Sequence, residues 1–259
     1  MVHLHVHSTY SFLSGTASIE SLVERAAKEG MRALALTDTG GLYGAVPFYQ
    51  TARKAGIRPL IGAVLDRVVL LARNLRGYSN LCRIVTAYQL KKSNGCAEFQ
   101  GLFPDLASDW TTELDDTLFI ITDDLPRIQR LRARGLEPLA AVTHYGDRRS
   151  RYHAGRLRDF ALRHALRPVA VNPVYFLDPG HVRIHRVLTA IRGNVTVDTL
   201  RPEDTASSEG WFRSAAEMAR LYRDWPETLQ NTEWVAERCE VELELGKPRF
   251  PHCEVPEGE

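Results

Sequence analysis

The chain has 259 residues, 44% of them hydrophobic, which suits one barrel-sized α/β domain or two small domains rather than a multidomain machine. Its 33 lysines and arginines are balanced by 32 acidic residues, so no net basic field draws the whole chain onto nucleic acid. No segment approaches about 18 uninterrupted apolar residues, and the four cysteines form no CxxC pair. We therefore expect a soluble cytoplasmic protein with reduced thiols.

Short apolar or β-branched runs alternate with segments of helical periodicity, which is the pattern of a parallel sheet. The runs that predict strands are residues 2–7, 32–37, 59–65, 68–72, 118–122, 139–143 and 168–171. The predicted helices are residues 18–28, with Ser18 as the cap, 45–54, 78–88, 126–134, 149–166, 179–191, 215–225 and 226–239. Because most of the strands are apolar throughout, we expect a closed, TIM-like β/α barrel rather than an open sheet.

Two parts of the chain lack these patterns. Residues 91–116 are polar and irregular and predict a loop. Residues 246–259 contain three prolines and predict an extended linker that leaves a domain formed by residues 1–245. Shortly before the linker, Val235, Cys239, Val241, Leu243 and Leu245 change from a helical to an alternating spacing, and we expect that the barrel need not cover these side chains.

Three histidines near the N-terminus are the first chemical signal. His3, His5 and His7 alternate in a predicted strand, so their side chains are expected on one face. Imidazoles two residues apart on a strand are roughly 7 Å apart, close enough to share a metal or to flank a small metal cluster. A structural histidine pair is the alternative.

Several stretches resemble the polymerase and histidinol phosphatase (PHP) superfamily, and in particular the PHP domain at the start of bacterial C-family DNA polymerases. The first motifs are HLHVHSTYS at residues 3–11, LTDTGGLYG at residues 36–44 and AGIRPLIGAVL at residues 55–65. Later matches at residues 70–84, 185–192 and 231–259 are similar to the polymerase branch rather than to PHP phosphatases at large. The resemblance is poorest over residues 91–134.

The resemblance implies a distorted seven-stranded β/α barrel with up to three metals at the carboxyl ends of its strands. In the family these metals activate water to cut a phosphoester, and in some polymerases this supplies a 3′–5′ exonuclease. His5 and His7 match the first two ligands of the pattern, and Asp38 matches the aspartate of the second motif. These three residues are the expected metal site.

Other positions depart from the family pattern. Ser14 stands where the family has Asp, Thr39 where it has His, and Val64 where it has Glu. The late Asn-Asp-x-His motif has Pro173 in place of Asp and Tyr175 in place of His. Since a two- or three-metal site needs several carboxylates to offset the charge of its ions, we expect hydrolysis to be lost. The expected cofactor is none, or a weakly bound Zn²⁺ or Mn²⁺ at a vestigial site.

A rewired site is the alternative for the metal. Asp66, Asp123, Asp124 and His144 fall near predicted carboxyl ends of strands and could join His5 and His7; otherwise the carboxylates cap helices or face solvent, and His144 packs at the barrel mouth. The arginines in residues 127–134 and 148–158 could contact phosphates or could form a solvated helix face. We expect no aromatic residues interleaved with these arginines, which disfavours a groove that binds single-stranded nucleic acid.

The function that the resemblance implies is a structural or docking module of a bacterial C-family polymerase, in replication or in error-prone repair synthesis. The polymerase body would be supplied in cis or as a separate chain, and contact with DNA would be indirect. Two other hypotheses stay open: an active metal-dependent phosphoesterase or 3′–5′ exonuclease, and a free-standing small-molecule phosphatase. Residues 231–259, which resemble the polymerase joint, disfavour the last of these.

Overall fold

The structure is a computed structural model that describes residues 1–92 and 110–246, without the side chains of residues 91 and 92. The predicted loop at residues 91–116 and the predicted linker at residues 246–259 therefore lie largely outside the described residues. The described part is an α/β fold, as the sequence predicts.

A six-stranded sheet is the centre of the fold, with its strands in the order β1 to β6. The strands are β1 Ala33–Thr39, β2 Arg58–Leu65, β3 Val68–Ala72, β4 Leu118–Thr122, β5 Leu139–Val142 and β6 Pro168–Ala170. The prediction of a purely parallel sheet is wrong at β3, which is antiparallel to both β2 and β4. Asp66 and Arg67, both with positive φ, form a two-residue hairpin turn that is too short for a parallel crossover.

Eight α-helices surround the sheet in the described residues. They are α1 Ile19–Lys28, α2 Ala45–Lys54, α3 Leu75–Lys92, α4 Leu125–Ala133, α5 Arg148–Arg163, α6 Val182–Gly193, α7 Ala215–Leu221 and α8 Pro226–Glu237. The Ser18 hydroxyl accepts the backbone N–H of Ser21 and caps α1, as predicted. None of the described helices combines the length and the apolar character needed to cross a membrane.

Residues 2–7, which we call the N-terminal segment, join the two edges of the sheet. Only Val6 forms a β-bridge, with Val174. On one side the backbone N–H of Thr37 in β1 donates to the Val6 carbonyl at 2.8 Å, and on the other the N–H of Val174 donates to the His5 carbonyl at 2.9 Å. The segment thus lies between β1 and the chain that follows β6, but a regular seventh strand is not confirmed.

The chain after α8 packs more closely than its sequence predicts. Val235 and Cys239 are buried against the apolar face formed by the strands, and Val241 is buried in a second cluster behind the sheet. The backbone N–H of Glu240 donates to the Arg73 carbonyl at 2.7 Å, which fixes this stretch beside β3. The expectation that the barrel leaves these side chains uncovered is therefore wrong for Val235, Cys239 and Val241.

The prediction that three histidines share one face is also wrong. His3 is buried apart from the other two, with its ring against the edge of Phe212 and its Nε2 donating to the Arg213 carbonyl at 2.8 Å. His5 and His7 contact each other instead. The reason is that the N-terminal segment is not a regular strand. Side chains two residues apart share a face only in a regular strand, so the alternation does not hold here.

Thr232 on α8 fixes the start of the N-terminal segment, and a substitution can measure this link. Its hydroxyl accepts the buried backbone N–H of Val2 at 3.0 Å. Thr232→Val orphans that donor, so we expect the free energy of unfolding to fall by about 1–3 kcal/mol in urea titrations. Thr228→Val is the matched control. The Thr228 hydroxyl donates to the Trp225 carbonyl, and the Thr228 backbone N–H donates to the same carbonyl, so this substitution leaves no backbone group without a partner. Equal losses in the two variants would show that the link to Val2 contributes nothing.

His3 should make stability depend on pH. Burial lowers the pKa of His3 from its usual 6.5 to about 4, so its stabilising contribution is present above pH 6.5 and is lost as the pH falls toward 4. Between pH 7 and pH 5, we expect the free energy of unfolding to fall by about 2 kcal/mol more in the wild type than in His3→Gln. Parallel slopes for the wild type and His3→Gln would contradict the assignment.

Candidate functional site

His5 and His7 form a contacting pair at one end of the N-terminal segment. Their Nε2 atoms are 2.9 Å apart, within hydrogen-bonding distance. The His7 ring stacks on Tyr175, with 4.2 Å between ring centroids and an interplanar angle of 17°. Tyr175 therefore fixes the plane of the His7 imidazole, and His7 in turn fixes His5.

A chain of hydrogen bonds connects this pair to Asp38 at the carboxyl end of β1. The Ser11 hydroxyl donates to Asp38 Oδ1 at 2.6 Å, so its oxygen must accept from His7 Nδ1, which is 2.9 Å away. With the proton on Nδ1, the neutral His7 ring has a lone pair on Nε2 and accepts from His5 Nε2. The pattern assigns the proton of His5 to Nε2 and links all three predicted site residues.

The Asp38 carboxylate is enclosed by donors from the first motif. Oδ1 accepts the backbone N–H of Ser8 at 2.7 Å, and Oδ2 accepts the Ser8 hydroxyl at 2.8 Å. Burial raises the pKa of Asp38, and the hydrogen bonds from Ser11 and Ser8 oppose that rise. Gly15 permits the tight loop around these serines, since a Cβ at Gly15 would lie 1.9 Å from the Ser8 carbonyl oxygen.

Both histidines of the pair are neutral at physiological pH. Burial lowers the pKa of His5 to about 4. Burial also lowers the pKa of His7 well below its usual value, and the positive charges that His5 and His185 would have when protonated add to this effect. A neutral pair agrees with the hydrogen-bond chain, in which each ring donates one N–H.

A cavity of about 250 Å³ lies against His5 and is lined by residues that differ from the family pattern. Val64, Pro173 and Tyr175 all face this cavity. Asp123 also lines it, and forms an ion pair with exposed Arg67 at 3.5 Å. Side chains that cannot bind a metal, or bind one only weakly, thus line the cavity at three positions where the resemblance implies Glu, Asp and His.

The other two departures lie beside His7 and behind the first motif. The Thr39 hydroxyl is 3.3 Å from His7 Nδ1, and the Thr39 backbone N–H donates to the Ser11 hydroxyl at 3.0 Å. The Ser14 carbonyl accepts from Nδ1 of buried His185 at 2.7 Å. Both positions are therefore part of the packed hydrogen-bonded structure around the pair.

The metal centre that the family pattern implies does not fit these residues. Binding one ion through both Nε2 atoms would break the bond between His5 and His7 and displace its proton. Asp38 directs both oxygens toward serine donors rather than toward the histidines. Across residues 1–92 and 110–246, no three His, Cys, Asp or Glu side chains are arranged to hold a metal.

The residues proposed for a rewired site are dispersed. Asp66 accepts the Tyr88 hydroxyl at 3.2 Å on the α3 side of the hairpin, and Asp124 caps α4. His144 packs between Tyr222 and Trp225, as the packing interpretation predicts. Of the four proposed residues, Asp123 shares the cavity with His5.

Sequence reasoning missed the residues that complete the network. Ser8 and Ser11 lie within the first motif, HLHVHSTYS. The histidines of this motif were interpreted as metal ligands, and its serines were given no role. One signal could have identified them. The motifs that contain Asp38 lack the other expected carboxylates and histidines, and a buried Asp38 without a metal needs hydrogen-bond donors from nearby side chains. Tyr175 was noted only as a weak ligand, whereas it stacks on His7.

Two solved structures have a similar but distant shape. One is described as a metal-dependent phosphoesterase from Bifidobacterium adolescentis, with a TM-score of 0.42 and 16% identity over 66% of this chain and 86% of the other. The second is an amidohydrolase from Chromobacterium violaceum, with a TM-score of 0.40 and 16% identity over 67% of this chain and 87% of the other. At these scores the similarity adds nothing to the assignment.

Sequence relatives are closer. The DNA polymerase III subunit alpha of Escherichia coli K12 is 34% identical over 96% of this chain, and that of Halalkalibacterium halodurans is 32% identical over 98%. The error-prone DNA polymerase of Symbiobacterium thermophilum is 32% identical over 99% of this chain. This chain spans about a quarter of the length of these relatives, 24% of the two alpha subunits and 27% of the error-prone polymerase.

The sequence profile of the PHP domain matches residues 3–144, more than half of the chain. The match includes His5, His7 and Asp38 and ends at His144, so it covers the whole hydrogen-bonded network except Tyr175 and His185. The chain belongs to the PHP domain family.

Proposed function

We propose that this chain is the PHP module of a bacterial C-family DNA polymerase, active in replication or in error-prone repair synthesis, and that it is a non-catalytic scaffold. The support for the polymerase is the identity of 32–34% to polymerases over nearly the whole chain. The polymerase body would be supplied in cis or as a separate chain. In this proposal the N-terminal segment takes the place of the seventh strand of a distorted PHP barrel.

The observation that supports a non-catalytic role is the lining of the cavity against His5. A phosphoesterase that uses two or three ions needs carboxylates around a bridging water. Here Val64 and Pro173 occupy two ligand positions, and Tyr175 is committed to stacking on His7. Asp38, the carboxylate that matches the family pattern, is held by three hydrogen bonds from Ser8 and Ser11.

The residues of the former site have a structural task in this proposal. The chain from His5 to Asp38 connects the N-terminal segment to the end of β1 through the neutral side chains of His5, His7 and Ser11, and it ends on the Asp38 carboxylate. A buried network whose members are satisfied makes its conformation rigid, whereas a buried charge without a partner would destabilise it. The scaffold thus needs no bound ion to hold its first motif in place.

One observation favours the alternative, a metal-dependent phosphoesterase or 3′–5′ exonuclease. The two Nε2 atoms face each other beside a cavity that Asp123 also lines. Loss of the His5 proton and movement of Asp123 would give a two-histidine, one-carboxylate set, which some metal enzymes use. In this alternative the protein binds a metal ion and hydrolyses phosphoesters, and both properties can be measured.

We expect the unaltered protein to purify without stoichiometric Zn²⁺ or Mn²⁺ and to hydrolyse single-stranded DNA at the rate of a buffer blank. The combined variant Thr39→His, Val64→Glu, Pro173→Asp and Tyr175→His restores four ligand positions. Its affinity for Mn²⁺ should rise at least about tenfold, because each added ligand supplies a donor that the site lacks. Elemental analysis and isothermal titration calorimetry measure the two quantities.

The matched control adds His7→Ala to the combined variant and should remove the gained affinity. Robust Mn²⁺-dependent hydrolysis by the unaltered protein, abolished by His7→Ala, would overturn the non-catalytic proposal and favour the alternative. A combined variant that folds but gains no affinity would show that the backbone no longer has the family geometry.

We further propose that residues 246–259 are a joint to the polymerase body. The support is the resemblance of VELELGKPRF and VPEGE to the polymerase passage, together with three prolines that forbid regular structure. The structure adds a boundary to this proposal, because Val241 is still buried while Leu245 is 42% exposed. In this proposal the domain ends at Leu245, and the joint begins at residue 246.

Two truncations test the joint. In this proposal residues 247–259 lie outside the domain, so their removal should leave the melting temperature unchanged within about 1 °C but should weaken association with the cognate polymerase body. Removal of residues 240–259 should lower the melting temperature by roughly 5 °C, since burial of the Val241 side chain is lost. Differential scanning calorimetry and gel filtration with the polymerase body measure the two effects. A collapse of stability after the shorter truncation would make the tail part of the fold.

A further inference from the structure

Helix α5 is the most basic element in the described part of the chain. Its 16 residues, Arg148–Arg163, contain six arginines and one acidic residue, Asp159. The whole protein has a net charge of only +1, so this charge is local. A basic face on a nearly neutral protein produces a field at one place on the surface rather than a general attraction.

The face of α5 forms one wall of a groove that we call the arginine groove. It has a volume of about 790 Å³. Its lining comprises Arg148, Arg149, Arg151, Arg156, Tyr152 and Trp225, together with Gly155 and Asp159. The groove is shallow and open, so an extended ligand that lies along it can contact several guanidinium groups.

Three of the groove arginines have no ionic partner among the described residues. Arg151 pairs with Asp224, but Arg148, Arg149 and Arg156 are exposed and form no ion pair with any residue in the described ranges. An exposed guanidinium without a carboxylate retains its full charge for a ligand. Successive residues of a helix rise 1.5 Å, so Arg149 and Arg156 are about 10 Å apart along the axis. That spacing requires an extended anion or several anions rather than a single small one.

Two aromatic rings accompany these arginines. Tyr152 is 62% exposed, and the Arg156 guanidinium carbon is 5.9 Å from the centre of its ring. Trp225 enters the groove from the loop before α8, with the Arg151 guanidinium carbon 5.5 Å from its ring centre. The expectation that no aromatic residue is interleaved with these arginines is therefore wrong: Tyr152 lies within the run, and folding brings Trp225 to it.

We propose that the arginine groove binds single-stranded nucleic acid. Arg148, Arg149 and Arg156 contact successive phosphates, and the exposed ring of Tyr152 stacks on a base. Guanidinium groups would also suit an acidic peptide, but the exposed ring beside them favours nucleic acid, because every base has a flat face that can stack on it. This activity goes beyond the scaffold role and does not require it.

The test uses fluorescence anisotropy of a labelled oligothymidylate with the full 259-residue chain at low salt. The combined variant Arg148→Ala, Arg149→Ala and Arg156→Ala should bind at least about tenfold more weakly. The slope of log affinity against log salt should also fall by about 2, because three phosphate contacts are lost. The control variant, Arg76→Ala, Arg130→Ala and Arg132→Ala, removes the same charge from exposed positions on α3 and α4 and should bind as the wild type does.

Tyr152 separates nucleic acid from other polyanions. Tyr152→Ala should weaken binding roughly tenfold, and Tyr152→Phe should restore it, since stacking needs the ring and not the hydroxyl. The Tyr152→Ala effect should disappear with an abasic oligonucleotide of the same length. Equal binding by the groove and control variants would overturn the proposal. So would a poly-glutamate peptide that competes as well as the oligonucleotide while Tyr152→Ala has no effect, because the groove would then fit an acidic protein partner.

Discussion

The backbone hydrogen bonds of the N-terminal segment are the constraint on which the rest of this structure depends. The segment is bonded to Thr37 on β1 and to Val174 after β6, so it joins the two edges of one sheet. Its position places His5 and His7 beside Tyr175 and within reach of Ser11. This double attachment gives the carboxyl end of β1 and the chain after β6 a common neighbour, and it brings the two histidines to the network.

The network shows how a family site can stay ordered with few charges. Asp38 is the one carboxylate in the chain of hydrogen bonds, and hydroxyl and amide donors satisfy it. Burial keeps both imidazoles neutral, so each ring donates one hydrogen bond in the chain and adds no charge. Neutral groups are much less costly to bury than ions. The proposed loss of ligands at Val64 and Pro173 and this internal satisfaction are therefore consistent with each other.

Local patterns predicted local structure well, and errors arose where distant parts of the chain meet. The Ser18 cap and α2 follow from neighbouring residues, and both are confirmed. The direction of β3 was missed because an Asp66–Arg67 turn needs positive φ at two residues that rarely adopt it, so composition gave no hairpin signal. His3 was misplaced because its partner is the carbonyl of Arg213, more than 200 residues away. Similarly, no local rule shows that Trp225 reaches α5.

The same double attachment has a consequence for the order of folding. The hairpin of β2 and β3 closes across two residues and can form as soon as it is synthesised. The N-terminal segment is made before both of its partners, since it needs Val174 for its bridge and Thr232 for the Val2 N–H, a separation of 230 residues in the latter case. Closing such a long loop is entropically costly and slow compared with a hairpin. During vectorial synthesis residues 2–7 must therefore wait for α8, and the sheet stays open at one edge until Thr232 has been made.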